Sequence, residues 1–397
     1  MTLKKSILTL VVFFSINNLF AQNRKYVNEF LNLGVGARSF GMSGAQAASV
    51  NDVTSAFWNP AGLMHVNTDF QIGLMHSEYF SSIAKYDYLG VAYPMKNKKG
   101  VLGVSLIRFA IDDIPYTLNL IQPDGTVDYS KIKAISAADY AGLISYAQKL
   151  KIKKFAERDD IGFNVGGNLK IIHRNVGSMA NAWGAGLDFG LQGFYKKWKL
   201  GLMLKDITTT HTLWSFSFTE KEKQVLAQTG NEIVSKSSEV NTPRIVLGGG
   251  RSFKIDNKMN LLAEVNLDIS TDGKRYGNLI NINPFSIDPK AGLELDYNRL
   301  FYVRGGLGNF QRILDDNDTT NTKKRTLFQP TLGVGVKMKS LVIDYAFSSL
   351  NLQGNPLYSH FISLRLNINK KNSTYGIANT DLDDKANQIN QQIKNRK

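Results

Sequence analysis

Residues 259–270 read Met-Asn-Leu-Leu-Ala-Glu-Val-Asn-Leu-Asp-Ile-Ser, and apolar side chains alternate with polar ones through this stretch. One side of an extended chain here would carry Leu261, Ala263, Val265, Leu267 and Ile269, and the other Glu264, Asn266 and Asp268. A period of two residues is typical of a β-strand with one apolar face and one polar face. The stretch therefore predicts a strand that separates an apolar from a polar environment.

The same pattern recurs from Asp69 onward in about fourteen segments of roughly ten residues. They begin near Asp69, Ala84, Gly100, Asp139, Ile161, Ala182, Trp198, Thr242, Met259, Ile287, Leu300, Phe328, Leu341 and Leu357. A soluble β-sandwich shows similar alternation, so the period alone does not decide the fold class. The segment length suits strands that cross a bilayer at a tilt, and an even number favours closure. We expect an all-β membrane protein with a single antiparallel transmembrane β-barrel of about 14 strands.

The connections between these segments alternate in length and in charge. The short ones include 95–99, 196–197, 254–258 and 298–299, whereas 111–137, 207–241, 270–286 and 311–327 are far longer than a hairpin needs. Lys and Arg outnumber Asp and Glu by 14 on the short side, and the charges balance to zero on the long side. Short turns at one end and long loops at the other are typical of outer-membrane barrels. Anionic lipid of the outer membrane is the expected neighbour of the basic turns.

Composition narrows the function classes. The chain has 397 residues, a formal net charge of +15, 43% hydrophobic residues and no cysteine, which excludes disulfide scaffolds, thiol catalysis and cysteine metal sites. After the first residues no apolar run is long enough for a transmembrane helix. The basic residues lie on hairpin ends without an interleaved aromatic platform, so we do not expect nucleic acid as a partner.

The chain divides into four parts by composition. Lys4 and Lys5 precede an apolar stretch that ends at Ala21, which predicts a signal peptide over 1–21. Residues 22–68 are rich in small residues and too short to fold alone, and because a barrel of this width leaves an open lumen, we expect a hatch or plug; an unstructured periplasmic arm is the alternative. The barrel is expected over 69–369, and a polar periplasmic tail over 370–397.

The run from Asn28 to Gly44, together with Trp58-Asn59-Pro60-Ala61-Gly62, resembles the PorV/PorQ family of outer-membrane proteins, which are relatives of the FadL-type channels. The resemblance implies a FadL-like barrel of fourteen strands with an N-terminal hatch, to which Arg38 and the motif Asn59, Pro60, Ala61 and Gly62 would belong. It also implies a location in the cell outer membrane and a role in type IX secretion. Secretion components, or the C-terminal domains of secreted cargo, would then be the partners.

Two further residue sets are candidate functional features. Charged side chains on the polar faces of the strands are expected in the lumen, paired with one another or with the hatch: Lys170, Asp188, Glu264, Asp268, Glu294, Asp296, Arg304 and Arg365. In the loop 207–241, Trp214, Phe216 and Phe218 fall on one side of an extended segment and are candidates for a partner-binding loop. A cover folded down over the hatch is the alternative for this aromatic stripe.

We expect neither catalysis nor a metal or other cofactor. The five histidines are not spaced as a helical metal pair, and Ser359 and His360 are neighbours that point to opposite faces of a strand. The acidic run 315–318 lacks the Gly and Glu of a calcium-binding loop. Two functions compete: a non-enzymatic barrel that binds cargo or translocon partners in type IX secretion, and a FadL-like channel for long-chain hydrophobic compounds. The sequence favours the first of these.

Overall fold

The computed structural model describes residues 27–96, 99–122, 125–152, 155, 158, 160–275, 278–314, 324–352 and 355–370. The predicted signal peptide, the acidic run 315–318 and nearly all of the predicted tail lie outside these residues. None of the helices in the described ranges has both the length and the apolarity needed to cross a membrane.

Strands account for most of the described chain. In chain order they are β1 Phe70–Tyr79, β2 Ala84–Pro94, β3 Val101–Tyr116, β4 Lys133–Leu150, β5 Ile161–Val176, β6 Ala180–Tyr195, β7 Trp198–Lys205, β8 Thr210–Phe216, β9 Lys236–Asn241, β10 Arg244–Lys254, β11 Met259–Ser270, β12 Ile280–Ile282, β13 Phe285–Tyr297, β14 Phe301–Leu314, β15 Lys324–Met338, β16 Leu341–Leu352 and β17 Asn355–Ile368. The α-helices are α1 Ala37–Gly41, α2 Ser55–Trp58 and α3 Glu220–Gln228, and 3-10 helices cover Glu29–Asn32, Pro60–His65 and Tyr129–Lys131.

Fourteen of the strands form a closed antiparallel barrel, as the alternation predicts. The first strand pairs with the last, from Phe70 opposite Ile368 to Glu78 opposite His360, so the sheet has no open edge in the bilayer region. Closure matters because an unpaired strand edge in lipid would leave backbone groups without hydrogen-bond partners. The prediction of a single barrel of about 14 strands is confirmed.

The strands β8, β9 and β12 belong to the long-loop end and not to the fourteen-strand cylinder. There β6 extends past β7, and Ala180–Ala185 pair with β8, which in turn pairs with β9. The long connection 207–241 is thus a strand hairpin with α3 at its tip. The sequence pattern missed this because α3 separates β8 from β9, and the other partner of β8 is the overhang of β6. β4 likewise begins at Lys133 and not near Asp139, because its first residues pair with the extended end of β3.

The outer face of the cylinder is apolar. Its side chains are half exposed, as on β11 and β13, where Val265 is 54% and Leu293 51% exposed. Aromatic residues flank the short turns on this face, including Tyr195, Trp198, Tyr297 and Phe301. This distribution matches a wall that faces lipid and ends in an interfacial belt of aromatic side chains.

Candidate functional site: the barrel lumen and its N-terminal segment

Residues 27–68, called the inner segment below, are buried almost throughout. Val35, Met42, Val50, Ala61 and Leu63 have no exposed surface. A segment this short cannot bury its own apolar side chains, so the barrel wall must cover it. Two glycines with positive φ, Gly34 at 111° and Gly36 at 85°, separate the 3-10 helix Glu29–Asn32 from α1.

The inner segment packs closely against the barrel wall at positions where glycines face the lumen. A Cβ on Gly292 would lie 2.7 Å from the Cβ of Met42, and one on Gly333 would lie 3.0 Å from the Cα of Gly41. These positions let two backbones approach in a way that a side chain would block. Gly190 likewise lies against Pro60.

Asn59 ties the inner segment to the backbone of the wall. Its Nδ2 donates to the Ala47 carbonyl at 2.8 Å and to the Leu191 carbonyl at 3.1 Å, and its Oδ1 accepts from the Ala61 amide at 3.2 Å. Pro60 follows at the start of the 3-10 helix, where its missing amide hydrogen has no cost. Beside them, a Cβ on Gly62 would lie 2.5 Å from the Val50 carbonyl oxygen. The motif Asn59 to Gly62 therefore makes one contact between the inner segment and the wall.

Arg38 of α1 makes a second contact between the inner segment and the wall, through an ion pair. Its Nε and Nη2 donate to the two carboxylate oxygens of Glu294 on β13, at 2.7 and 3.0 Å. Glu294 also accepts from Arg304 on β14 at 2.7 Å, and Arg304 donates to Asp344 on β16 at 2.7 Å. Burial alone would lower the pKa of Arg38, but the charge and hydrogen bonds of Glu294, together with the charges of Asp52 and Asp344, outweigh it and raise that pKa. We call Arg38, Glu294, Arg304 and Asp344 the charge chain.

Asp52 of the inner segment makes a third such contact, with Arg365 of β17. The carboxylate also accepts from the Thr54 amide at 2.9 Å and is only 5% exposed. Burial would raise the pKa of Asp52, but the positive charges of Arg365 and Arg38, together with the hydrogen bonds from Thr54, outweigh it and hold the pKa below its ordinary value. Asp52 is thus held as an anion inside the barrel.

The remaining charges proposed for the lumen lie on its inner face in separate groups. Lys170 lies 3.1 Å from Asp188 and also pairs with Asp206. Asp268 pairs with Arg244 at 2.6 Å and with Lys290 at 3.5 Å.

Two other carboxylates that were predicted to face the lumen accept hydrogen bonds from a backbone amide or a side-chain amide. Glu264 accepts from the Ala48 amide at 2.8 Å, and Asp296 accepts from Asn260 at 3.3 Å. The alternating pattern did not identify the charged partners within the lumen, because partner identity depends on register across the sheet; these partners are Asp52, Asp206, Arg244, Lys290 and Asp344.

Next to the charge chain, the inner face of the barrel is apolar. Phe40 of α1 stacks on Phe361 of β17 with ring centroids 3.7 Å apart, and Tyr86 and Tyr88 of β2 donate to the Phe30 and Val53 carbonyls. The buried cluster here, called the apolar side, also includes Leu31, Val35, Phe57, Met75, Tyr79, Ile107, Leu143 and Ile172. It lies toward the long-loop ends of β1–β5, β16 and β17.

The aromatic stripe of the long hairpin forms a ladder along β8 and the two residues that follow it. Neighbouring rings of Trp214, Phe216 and Phe218 are near parallel, with centroids 6.1 and 6.2 Å apart. The Arg174 guanidinium lies 5.1 Å from the Trp214 ring, and all three rings are partly buried. Leu213, on the other face of the same strand, is 62% exposed.

The polar residues considered for catalysis are dispersed. Ser359 is buried on the inner face of β17, whereas the neighbouring His360 is exposed on the outer face beside Tyr345. Among the described residues, no three His, Asp or Glu side chains are grouped closely enough to hold a metal ion.

Comparison with known proteins gives a fold and no family. No protein-family model and no curated protein matches the chain. The solved Pseudomonas putida toluene transporter TodX is similar, with a TM-score of 0.52 and 13% sequence identity over 84% of this chain and 98% of that one. The CymD monoaromatic hydrocarbon channel is similar to the same degree, with a TM-score of 0.51 and 12% identity over 85% and 98% of the two chains. At this identity the likeness establishes the architecture alone.

Proposed function

We propose that this chain is an outer-membrane channel for small apolar molecules and that residues 27–68 act as a hatch that closes its lumen at rest. The observation that carries the proposal is the apolar side of the lumen, which lies toward the long loops and is covered by the inner segment. An apolar solute arriving from the loops would meet aromatic and aliphatic side chains there, as in most small-molecule sites. The structural likeness to a toluene transporter and a monoaromatic hydrocarbon channel supports this reading.

The hatch role rests on how the inner segment is held. It has ion pairs at Arg38 and Asp52 and backbone contacts at Asn59, whereas its apolar contacts are non-directional. A second apolar cluster, with Val53, Leu63 and Val101, lies toward the short turns. Opening would therefore start at the apolar side, where a competing apolar solute replaces contacts of the same kind.

Uptake of radiolabelled toluene by a Gram-negative host that lacks its own hydrophobic-compound channel tests the proposal. Cells that produce the protein should take up toluene faster than cells with an empty vector. Phe109→Ser, next to the apolar side, should slow uptake, whereas Phe301→Ser on the outer wall should not. Uptake no faster than the empty vector in correctly inserted protein would overturn the channel proposal.

The location and orientation can be tested separately. We expect cleavage after the signal peptide, insertion into the outer membrane, the short basic turns in the periplasm and the long connections outside. A tag inserted after Gly230 should be labelled on intact cells, whereas a tag after Asn257 should be labelled only after permeabilisation. The reverse labelling would show the opposite orientation.

A PorV/PorQ-type role in type IX secretion is the second candidate, and one observation favours it. The ladder of Trp214, Phe216 and Phe218 stands on a hairpin that extends beyond the barrel, where large aromatic side chains are typical of partner sites. Replacing the three by Ser should abolish co-purification of secretion components or cargo from gently solubilised membrane. Leu213→Ser on the opposite face of β8 is the matched control, and co-purification that survives the triple change would argue against this role.

A further inference from the structure

A groove of about 510 Å³ crosses the outer wall of the barrel over β10, β11, β13 and β14. Its floor is formed by the small residues Gly249, Ala263, Ala291 and Gly305. They follow a zigzag across the four strands, because Gly249 pairs with Val265, Val265 with Ala291, and Leu293 with Gly305. A Cβ on Gly249 or Gly305 would have no atom within 4 Å.

The sides of the groove are apolar and exposed. Val265, Leu293 and Leu307 stand beside the floor with 54%, 51% and 43% of their surface exposed. They lie on the outer face, since Glu264 on the same stretch of β11 points inward to the Ala48 amide. The groove therefore opens toward the hydrocarbon region of the membrane and not toward the lumen.

A cation stands at the short-turn end of the groove. The Arg251 guanidinium lies 4.8 Å from the Trp198 ring and 5.0 Å from the Phe253 ring. Within the described ranges it has no carboxylate partner, unlike the arginines of the lumen. The Ser252 amide donates to the Lys197 carbonyl at 3.0 Å, which brings the basic turn 196–197 alongside. The two rings hold the charge in place and leave its N–H donors available to an anion.

We propose that this groove binds a glycerophospholipid with an anionic headgroup, in the leaflet that faces the short turns. The phosphate lies at Arg251, where charge-assisted hydrogen bonds to the guanidinium are favourable. An acyl chain fills the groove and covers the exposed sides of Val265 and Leu293. The positive ring of short turns attracts the same headgroup. This lipid site is independent of what the lumen conducts.

Native mass spectrometry of the detergent-solubilised barrel, titrated with phosphatidylglycerol, tests the site. Wild-type protein should retain one lipid at concentrations where further lipids are lost. Arg251→Gln should weaken binding of that lipid about tenfold. Lys339→Gln removes the same charge from the turn between β15 and β16, away from the groove, and should change binding less than twofold.

A second variant separates the groove from the charge. Gly249→Leu fills the floor without touching Arg251, and a larger residue should not harm the strand because the position is open. It should weaken binding of phosphatidylglycerol and phosphatidylcholine alike, whereas Arg251→Gln should weaken phosphatidylglycerol more. Equal loss in Arg251→Gln and Lys339→Gln, with no loss in Gly249→Leu, would overturn the proposal and indicate a non-specific lipid annulus. Heat-modifiable migration on gels confirms that each variant is a folded barrel.

Discussion

The two sides of the lumen hold the inner segment by different physical means. The charge chain on β13, β14 and β16 uses directional hydrogen bonds between buried ions, which are strongly destabilising when one partner is lost. The apolar side uses ring and aliphatic contacts, which are non-directional and tolerate small shifts. We infer that the charge chain fixes the position of the inner segment and that the segment can move where it contacts the apolar side.

Removing Glu294 should have the largest effect. Glu294→Gln leaves Arg38 and Arg304 buried without their shared counter-ion, and a broken buried ion pair costs about 3–5 kcal/mol. We expect faster hydrogen–deuterium exchange at residues 37–41 and a lower midpoint of urea unfolding in lipid. The exchange should rise most on α1, since the wall strands keep their backbone pairing.

Asp296→Asn is the matched control for this change. Asp296 lies two residues along β13 on the same face, but it accepts hydrogen bonds from Asn260 and from the Arg299 amide and has no ion pair with the inner segment. Exchange on α1 should stay near wild type. Equal effects of the two substitutions would show that the charge chain does not hold α1.

The burial and ion pair of Asp52 predict that the stability of the inner segment depends on acid. Its pKa is held below the ordinary value of about 3.9, so its contribution is fully present above that value and is lost as pH falls through the lower folded pKa. A charged hydrogen-bonded contact of this kind contributes about 1.5–3 kcal/mol. The protection factors of the amides at residues 50–55, which correct for the intrinsic pH dependence of exchange, should therefore be high at neutral pH and fall only below about pH 4.

Asp52→Asn provides the contrast for this acid dependence. It should show faster exchange at neutral pH, because Arg365 then lacks its partner, and it should lose the acid-dependent step in this segment. Wild type and Asp52→Asn with the same pH profile would assign the acid step to other carboxylates. Amides that pack in the apolar side should show no acid-dependent loss of protection from exchange.

The sequence predicts the wall far better than the contents of the lumen. The period of two residues gives strand number and the direction of each side chain, because both are local properties of a pleated chain. It identifies Glu294 as facing inward. It does not identify Arg38 or Asp344 as its neighbours, since these depend on closure and on the register of separate strands. Asp52 and Arg365, 313 positions apart, could not be paired by any local rule.

The hairpin of β8 and β9 shows the same limit. Residues 207–241 read as a long loop because α3 and its flanking residues separate β8 from β9, and the other partner of β8 is the overhang of β6. The alternation of Trp214, Phe216 and Phe218 with polar residues was nevertheless visible and placed the three on one side. The local pattern thus predicts that the three aromatic side chains share one face of the segment, whereas the pairing with β6 determines that the segment is a strand.

The smallest effect is expected on the apolar side, from Phe361→Leu. Leucine keeps most of the buried apolar surface but loses the stacking on Phe40 and the edge contact with Tyr79, worth about 0.5–1.5 kcal/mol. Exchange on α1 should rise slightly and without pH dependence, and toluene should slow it again if the solute occupies the vacated space. Phe301→Leu on the outer wall should change neither quantity, because Phe301 is 54% exposed there. A loss in Phe361→Leu as large as that in Glu294→Gln would remove the distinction between the two sides, since ring contacts would then fix the segment as firmly as ion pairs do.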